Sequence, residues 1–340
     1  MAVKVAINGL GRIGRATFKV LMDTPELELV AVNDIASLEN MVYLLKYDTV
    51  YGRYEREVEV GDGAIIVDGK EIRYCSEKDP ANLPWDELGV QLVFESTGIF
   101  TKQEDAGKHI TAGAKWVIIS GPTSSADVPT IVHGVNRPGK ESFVLSCASC
   151  TTNNITPIME IMGRHFGVEK AVMTTLHAYT ATQMLVDSPG GKKDMRRGRA
   201  AAANWVPSST GAATATAKAL PELQGKFDGL SVRGPVAVGS LADITLLLSR
   251  NTTVEEINAI FKQEAESERY KGVLGVEEDE LVSSDIIQDP RASIIQLDMT
   301  RVVDGNLVKV MSWYDNEWGY TNQMVKTALY QLGLREYAYA

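Results

Sequence analysis

The chain has 340 residues, 44% hydrophobic and 23% charged, with a formal net charge of −10 and a pI near 5.1. That length favours two domains, the composition is that of an ordinary globular protein, and the acidic balance argues against nucleic acid or an anionic membrane as the main partner. The N-terminal MAVKVAINGLGRIGR has neither a membrane-spanning apolar run nor a charged-then-apolar leader, so no membrane association and a cytoplasmic location are expected.

VKVAINGLGRIGRATFKVLMD reads as a strand, a glycine turn and a helix, and LELVAVND as the next strand. LVFEST (92–97), KWVIISG (115–121) and SFVLSC (142–147) follow as further short apolar runs. The alternation predicts a mostly parallel sheet with helices on its faces. After residue 150 the texture changes. TTNNITPIMEIMGRHFG reads as a helix and VEKAVMTTLHAYT as a long strand. GLSVRGPVAV, ADITLLLSR, SIIQLDM and NLVKVMSWYD read as strands of a second sheet, while VEEINAIFKQEAES and TNQMVKTALYQL have helical period. DSPGGKKDMRRGRAA, rich in glycine and charge, reads as a loop.

Gly9, Gly11 and Gly14 form G-x-G-x-x-G between the first strand and its helix, and Asp34 ends the next strand twenty positions after Gly14. Gly9 permits the tight turn, Gly11 lets backbone approach a pyrophosphate, and Gly14 lets the helix pack on the strand. The helix N-terminus offers free N–H groups to phosphate. Asp34 can accept from both ribose hydroxyls and repel a 2′-phosphate, which favours NAD over NADP. The bland alternative is a glycine-rich turn without a ligand; the strand, helix and acid together argue against it.

Of the three cysteines, Cys147 and Cys150 stand three positions apart in SCASCTTNN. That spacing suits a metal clip, but no second Cys or His pair matches it and the four histidines (109, 133, 165 and 177) are scattered, so no metal is expected. Cys150 falls between a strand and a helix, where unpaired N–H groups stabilise a thiolate and could hold an oxyanion. His177 follows the strand VMTTL and is the expected proton acceptor, with His133 as its competitor. A cysteine alone is more often buried filler. Beside a dinucleotide site the balance shifts, because thiohemiacetal formation followed by hydride transfer joins both motifs. Cys147 is assigned to packing.

ASCTTN, TTLHAYTATQ, RRGRAAAANWVPSSTGAA and SWYDNEWGY resemble the signature segments of phosphorylating glyceraldehyde-3-phosphate dehydrogenases, and INGLGRIGR and LLKYDTVYGR are similar to that family's first-domain segments. The resemblance runs from about residue 3 to residue 332. It implies an α/β fold: a Rossmann-type parallel-sheet domain (1–149), an α+β catalytic domain with a mostly antiparallel sheet (150–316), and a C-terminal helical segment (317–340) packing back on the first.

By that resemblance Cys150 attacks the aldehyde of glyceraldehyde 3-phosphate and His177 acts as base. Hydride passes to NAD, and inorganic phosphate releases the acyl thioester as 1,3-bisphosphoglycerate. One phosphate pocket maps onto Ser149, Thr151, Thr210 and Gly211, the other onto Thr180, Thr182, Arg197 and Arg233. Asn8, Arg12 and Ile13 line the pyrophosphate turn with the three glycines. Ser120 and Asn316 lie near the cofactor, and Tyr320 packs beside the nicotinamide. A homotetramer is implied, with the 180–205 loop reaching a neighbour. The chain departs from the family at Asn154, where many members have a second cysteine, and in RGPVAVGS, where RVPTPNVS is common. The alternatives are an erythrose-4-phosphate dehydrogenase, whose family lacks the TxT segment kept here as Thr180 and Thr182, and a non-catalytic NAD-binding scaffold.

Overall fold

The computed structural model describes residues 2–137, 139, 142–190 and 194–336. The chain forms two compact units, one of 2–131, 137–148 and 324–336, the other of 132–136 and 149–323. Residues 191–193 of the expected loop and 337–340 of the expected C-terminal segment lie outside the described residues.

The first unit contains β1 (Val3–Asn8), α1 (Arg12–Met22), β2 (Leu27–Asn33), α2 (Leu38–Lys46) and the small hairpin of β3 (Tyr47–Asp48) and β4 (Gly52–Arg53). It continues through β5 (Val58–Val60), β6 (Ala64–Val67), β7 (Lys70–Cys75), α3 (Trp85–Leu88) and β8 (Leu92–Glu95). The short helices α4 (Gln103–Ala106) and α5 (Lys108–Thr111) lead to β9 (Trp116–Ile119) and β10 (Val144–Ser146). Its large sheet has the order β10-β9-β8-β1-β2-β7-β6-β5.

From β10 to β7 every pairing is parallel. The near-continuous burial of β1, β8 and β9 fits a sheet covered on both faces. The sequence reading leaves 58–67 unassigned, and this segment adds β5 and β6 antiparallel to one edge. Parallel order places the ends of β8, β1 and β2 side by side, with Asn8 in register with both Glu95 and Asn33. Ligands of open α/β sheets bind outside such carboxyl ends.

The second unit begins with α6 (Cys150–Phe166) and β11 (Val168–Ala178), followed by β12 (Val206–Ser209), α7 (Ala212–Ala219), β13 (Phe227–Gly234) and β14 (Ser240–Leu248). Then come α8 (Val254–Ala265), β15 (Leu274–Glu277), β16 (Ser293–Gln296), β17 (Arg301–Val303) and β18 (Leu307–Tyr314). The sheet order is β12-β13-β11-β14-β18-β16-β15, with β17 beside β18. β11 runs parallel to β13, and β15 to β16; the other pairings are antiparallel.

Ile155, Ile158 and Met162 of α6 belong to the same core as Ile244 and Leu246 of β14 and Val308 and Val310 of β18. That burial fixes the position of the helix that begins at Cys150. The last helix, α9 (Trp318–Gln331), divides between the units: from Met324 onward it groups with the first. There Arg335 Nε donates to Glu26 Oε1 at 2.8 Å. Among the described residues no helix is long and apolar enough to cross a membrane.

Candidate active site

In the first unit the glycine turn has the geometry that its spacing requires. Gly9 adopts φ +90°, which side chains rarely tolerate. A Cβ on Gly14 would lie 1.9 Å from the carbonyl oxygen of Gly9, so only glycine lets α1 approach the turn. A Cβ on Gly11 would meet nothing within 4 Å. The open space over Gly11 is where a ligand can approach the backbone. A cavity of about 400 Å³ there is lined by Asn8, Gly9, Gly11, Asp34, Thr97 and Phe100, among others.

Asp34 faces that cavity with one carboxylate oxygen accepting from Leu10 N–H at 2.7 Å and the other from Ala36 N–H at 3.0 Å. Its remaining lone pairs can accept from hydroxyls. Arg12 turns its guanidinium to Asp48, 2.5 Å away, and with Ile13 forms the first two positions of α1. Ser120 continues the ladder beyond β9, its N–H donating to Glu95 O at 2.9 Å. The glycine cradle and the acid together fit a dinucleotide.

In the second unit Ser149 is the N-cap of α6, its Oγ accepting from Thr152 N–H at 3.1 Å, and Cys150 is the first helical residue. Pro157 lies inside the helix. Sγ of Cys150 stands 3.4 Å from Nε2 of His177, which is buried at the penultimate position of β11. His133, the competing base, does not take this place, and it groups with the second unit rather than the first. On its other side His177 Nδ1 lies 2.7 Å from Ala178 O and 2.6 Å from Nη1 of Arg233, which also donates to Ala178 O at 3.1 Å.

The electrostatics differ from the sequence expectation of a lowered thiol pKa. Burial pushes the Cys150 thiol up, against the opposing pull of the Arg233 charge and the Thr151 N–H. Burial, followed by Arg233, pulls His177 down to about 3. Both shifts favour the uncharged forms, thiol and imidazole.

The two expected phosphate groups are partly assembled. Thr180 and Thr182 hydroxyls are 3.0 Å apart, and Arg197 Nη1 donates to Thr182 Oγ1 at 3.0 Å. Arg233 is instead turned to His177, although its charge still opposes that of Arg197. In the other group Ser149 serves as the α6 cap, Thr151 Oγ1 is 2.9 Å from Tyr314 Oη, and Thr210 Oγ1 accepts from Ala212 N–H at 3.2 Å. Gly211 caps α7 and would meet nothing within 4 Å on its Cβ side. Asn316 is buried, its Oδ1 accepting from Gly239 N–H and Ser240 Oγ–H, and Tyr320 is buried on α9.

Sequence reasoning missed Ser208, whose Oγ accepts from Arg197 Nη2 at 2.9 Å and donates to Asp194 at 3.1 Å. It also missed the Ala178 carbonyl behind His177. The two departures have structural reasons. Asn154 Nδ2 donates to Ser312 Oγ at 2.8 Å, tying α6 to β18. A Cβ on Gly234 would lie 2.5 Å from the Trp205 ring, so glycine makes room for that tryptophan.

A family model described as the glyceraldehyde 3-phosphate dehydrogenase NAD binding domain matches residues 3–103, and one described as the C-terminal domain of the same enzyme matches 149–316. Glyceraldehyde-3-phosphate dehydrogenase 2 of Streptomyces avermitilis is 49% identical over 335 residues, covering 97% of this chain and 98% of the relative. The glyceraldehyde-3-phosphate dehydrogenase of Geobacillus stearothermophilus is 48% identical and glyceraldehyde-3-phosphate dehydrogenase 1 of Bacillus subtilis 47%, each covering 97% of this chain and 98% of the relative. With a dinucleotide cradle in one unit and a Cys–His pair at a helix start in the other, the chain belongs to the glyceraldehyde-3-phosphate dehydrogenase family.

Proposed function

We propose that Cys150 and His177 carry the covalent step of the family's reaction, the NAD-dependent oxidation of glyceraldehyde 3-phosphate in the presence of inorganic phosphate. The observation that carries this reading is the 3.4 Å approach of Sγ to Nε2 at the first residue of α6. With Arg233 Nη1 turning its hydrogens to the Ala178 carbonyl, that carbonyl also accepts from a His177 Nδ1–H, the tautomer that leaves the Nε2 lone pair facing the thiol. As Sγ bonds to the aldehyde carbon, its proton passes to Nε2. The imidazolium and the free N–H groups at the start of α6 then stabilise the new oxyanion.

The bound nicotinamide supplies the hydride acceptor. Loss of hydride from the thiohemiacetal carbon leaves an acyl thioester on Cys150. Phosphate oxygen attacks that carbonyl, the C–S bond breaks, and the acyl phosphate 1,3-bisphosphoglycerate departs. Thr180, Thr182, Arg197 and Arg233 form one anion site, and Ser149, Thr151, Thr210 and Gly211 the other, through hydroxyls, guanidinium groups and backbone N–H groups. Asn8, Gly9, Gly11, Arg12, Ile13, Gly14 and Asp34 hold the dinucleotide, with Ser120, Asn316 and Tyr320 at its nicotinamide end. This division assigns 1–149 to coenzyme, 150–316 to catalysis and 317–340 to the returning C-terminal segment.

The test is NADH absorbance on mixing protein, aldehyde, NAD and phosphate. A higher kcat/KM for glyceraldehyde 3-phosphate than for erythrose 4-phosphate is expected on this reading, which the hydrogen bonds joining Thr180, Thr182 and Arg197 support. The reverse preference would overturn the substrate assignment. No NADH from folded protein would favour a non-catalytic scaffold.

We also propose that the chain works as a homotetramer in the cytoplasm. Val172 and Leu176 on β11 and Leu230 on β13 expose apolar side chains on neighbouring strands, a surface suited to another copy. Sedimentation of the native protein and of Leu176→Glu tests this; a monomeric native protein would sink it. The location follows from three free thiols, one of them required for chemistry, which a reducing compartment preserves. Cell fractionation reads it directly.

A further inference from the structure

Beneath the coenzyme cavity lies a buried polar network that the chemistry above does not use. Glu95 is 1% exposed and His109 is 0% exposed. Glu95, Asn8 and Asn33 occupy one row across the adjoining ends of β8, β1 and β2. Glu77 N–H donates to Asn33 Oδ1 at 2.8 Å, which turns Asn33 Nδ2 toward Asn8 Oδ1, 2.7 Å away. That in turn aims Asn8 Nδ2 at Glu95 Oε2, at 2.6 Å.

The other end is fixed just as firmly. An indole N–H can only donate, and Trp85 Nε1 lies 2.9 Å from His109 Nδ1. His109 Nδ1 must therefore accept, so its proton sits on Nε2, which donates to the same Glu95 oxygen at 3.0 Å. The second oxygen, Oε1, accepts from Thr97 N–H at 2.8 Å and from the Thr97 hydroxyl, which itself accepts from Ile99 N–H. Four donors converge on one side chain. Only a carboxylate can accept them all.

What this network holds is the cavity wall. Asn8, Asn33, Glu77 and Thr97 all line the cavity. A Cβ on Gly9 would lie 2.7 Å from Thr97 N, so the glycine turn abuts the very backbone that Glu95 anchors. A buried polar network without these links would be a liability, because each unpaired member would be left desolvated. We propose that Glu95 and His109 are positioning residues for the coenzyme: with Trp85 fixing the tautomer, they lock the loops after β1, β2 and β8 in the arrangement that receives the dinucleotide.

The proposal rests on NAD being the occupant of this cavity. Glu95→Gln keeps the shape and places an NH₂ group where donors already converge. Calorimetric titration with NAD is expected to show Kd raised about tenfold or more. The KM for glyceraldehyde 3-phosphate is expected to move less than about twofold, because the loss is confined to the coenzyme side. A variant that melts earlier yet binds NAD like the parent would overturn the proposal, since that is what a merely structural role gives. If the parent itself failed to bind NAD, the coenzyme reading would fall instead. Should Glu95→Gln not fold, ¹⁵N spectra of histidine-labelled native protein read the tautomer. A protonated Nε2 with an unprotonated Nδ1 at His109 supports the network, and the opposite tautomer overturns it.

Discussion

Cys150 Sγ and His177 Nε2 lie 3.4 Å apart although 27 positions separate them in the chain. The contact exists because α6 starts at Cys150 and β11 carries His177 back past that start. The buried α6 core face holds the sulfur end of this pair, and the β11 pairings with β13 and β14 hold the imidazole end.

Replacing sulfur by oxygen tests the nucleophile with little change of shape. A serine hydroxyl has a far higher pKa than a thiol, and its neighbours are tuned for sulfur. Cys150→Ser is expected to bind NAD with unchanged affinity and to lose the pre-steady-state NADH burst, with kcat down on the order of 10³-fold or more. Stopped-flow absorbance measures this. A retained burst would remove Cys150 from the mechanism.

The depressed His177 pKa has a consequence for stability. Its folded value, about 3, lies below the ordinary histidine value of 6.5 expected of an unfolded chain. As pH falls below about 6.5 the unfolded imidazole takes up a proton that the folded one refuses, so stability is lost progressively toward pH 3. By pH 4.5 this amounts to about 3 kcal/mol, a few degrees of melting temperature. His177→Gln removes the titration, so its melting temperature should fall less steeply between pH 7.5 and 4.5. Parallel slopes for the two proteins would mean that the native imidazole is not held neutral.

The parts of the site written in local sequence were legible without coordinates. The glycine spacing, the acid at the end of β2 and the cysteine between a strand and a helix each depend on a few adjoining residues. Partnerships across the fold were not legible. Thr151 meets Tyr314 across 163 positions, and nothing near either residue marks the other. Ser208 looked like any strand serine, because Asp194 and Arg197 reach it only through the fold of the intervening chain. His109 read as one of four scattered histidines; Trp85 and Glu95 give it a role only once α5 lies over the strand ends. Even the thiol was misjudged in one respect: position at a helix start was readable, while the opposing burial was not.

The two glycines that flank the start of α1 should separate ligand binding from folding. A methyl at Gly14 must displace the Gly9 carbonyl, forcing α1 away from the turn. Gly14→Ala is expected to lose about 2 kcal/mol or more of stability along with NAD binding. Gly11 has an extended backbone (φ −63°, ψ −164°) and free space beyond it. Gly11→Ala should melt within about a degree of the parent yet bind NAD at least about tenfold more weakly, because the methyl occupies the ligand's approach. Equal NAD affinity in Gly11→Ala and the parent would place the phosphates elsewhere.

Gly234 and Trp205 make a pair that can be tested by a double-mutant cycle. Val206 is in register with Arg233, which brings residue 205 beside residue 234 at the end of β13. Gly234→Val pushes the Trp205 ring off the strand and strains the backbone next to Arg233, which contacts His177. The single variant is expected to lose about 1–3 kcal/mol and to raise the KM for glyceraldehyde 3-phosphate. Trp205→Leu alone should be nearly neutral, because the indole is largely exposed. Combining the two changes removes the clash, so the double variant should recover most of the lost stability, with a coupling energy of about 1 kcal/mol or more. Urea melts of the four proteins give that coupling. Simple addition of the two single effects would show that the ring does not press on this strand, and the departure at residue 234 would then need another cause.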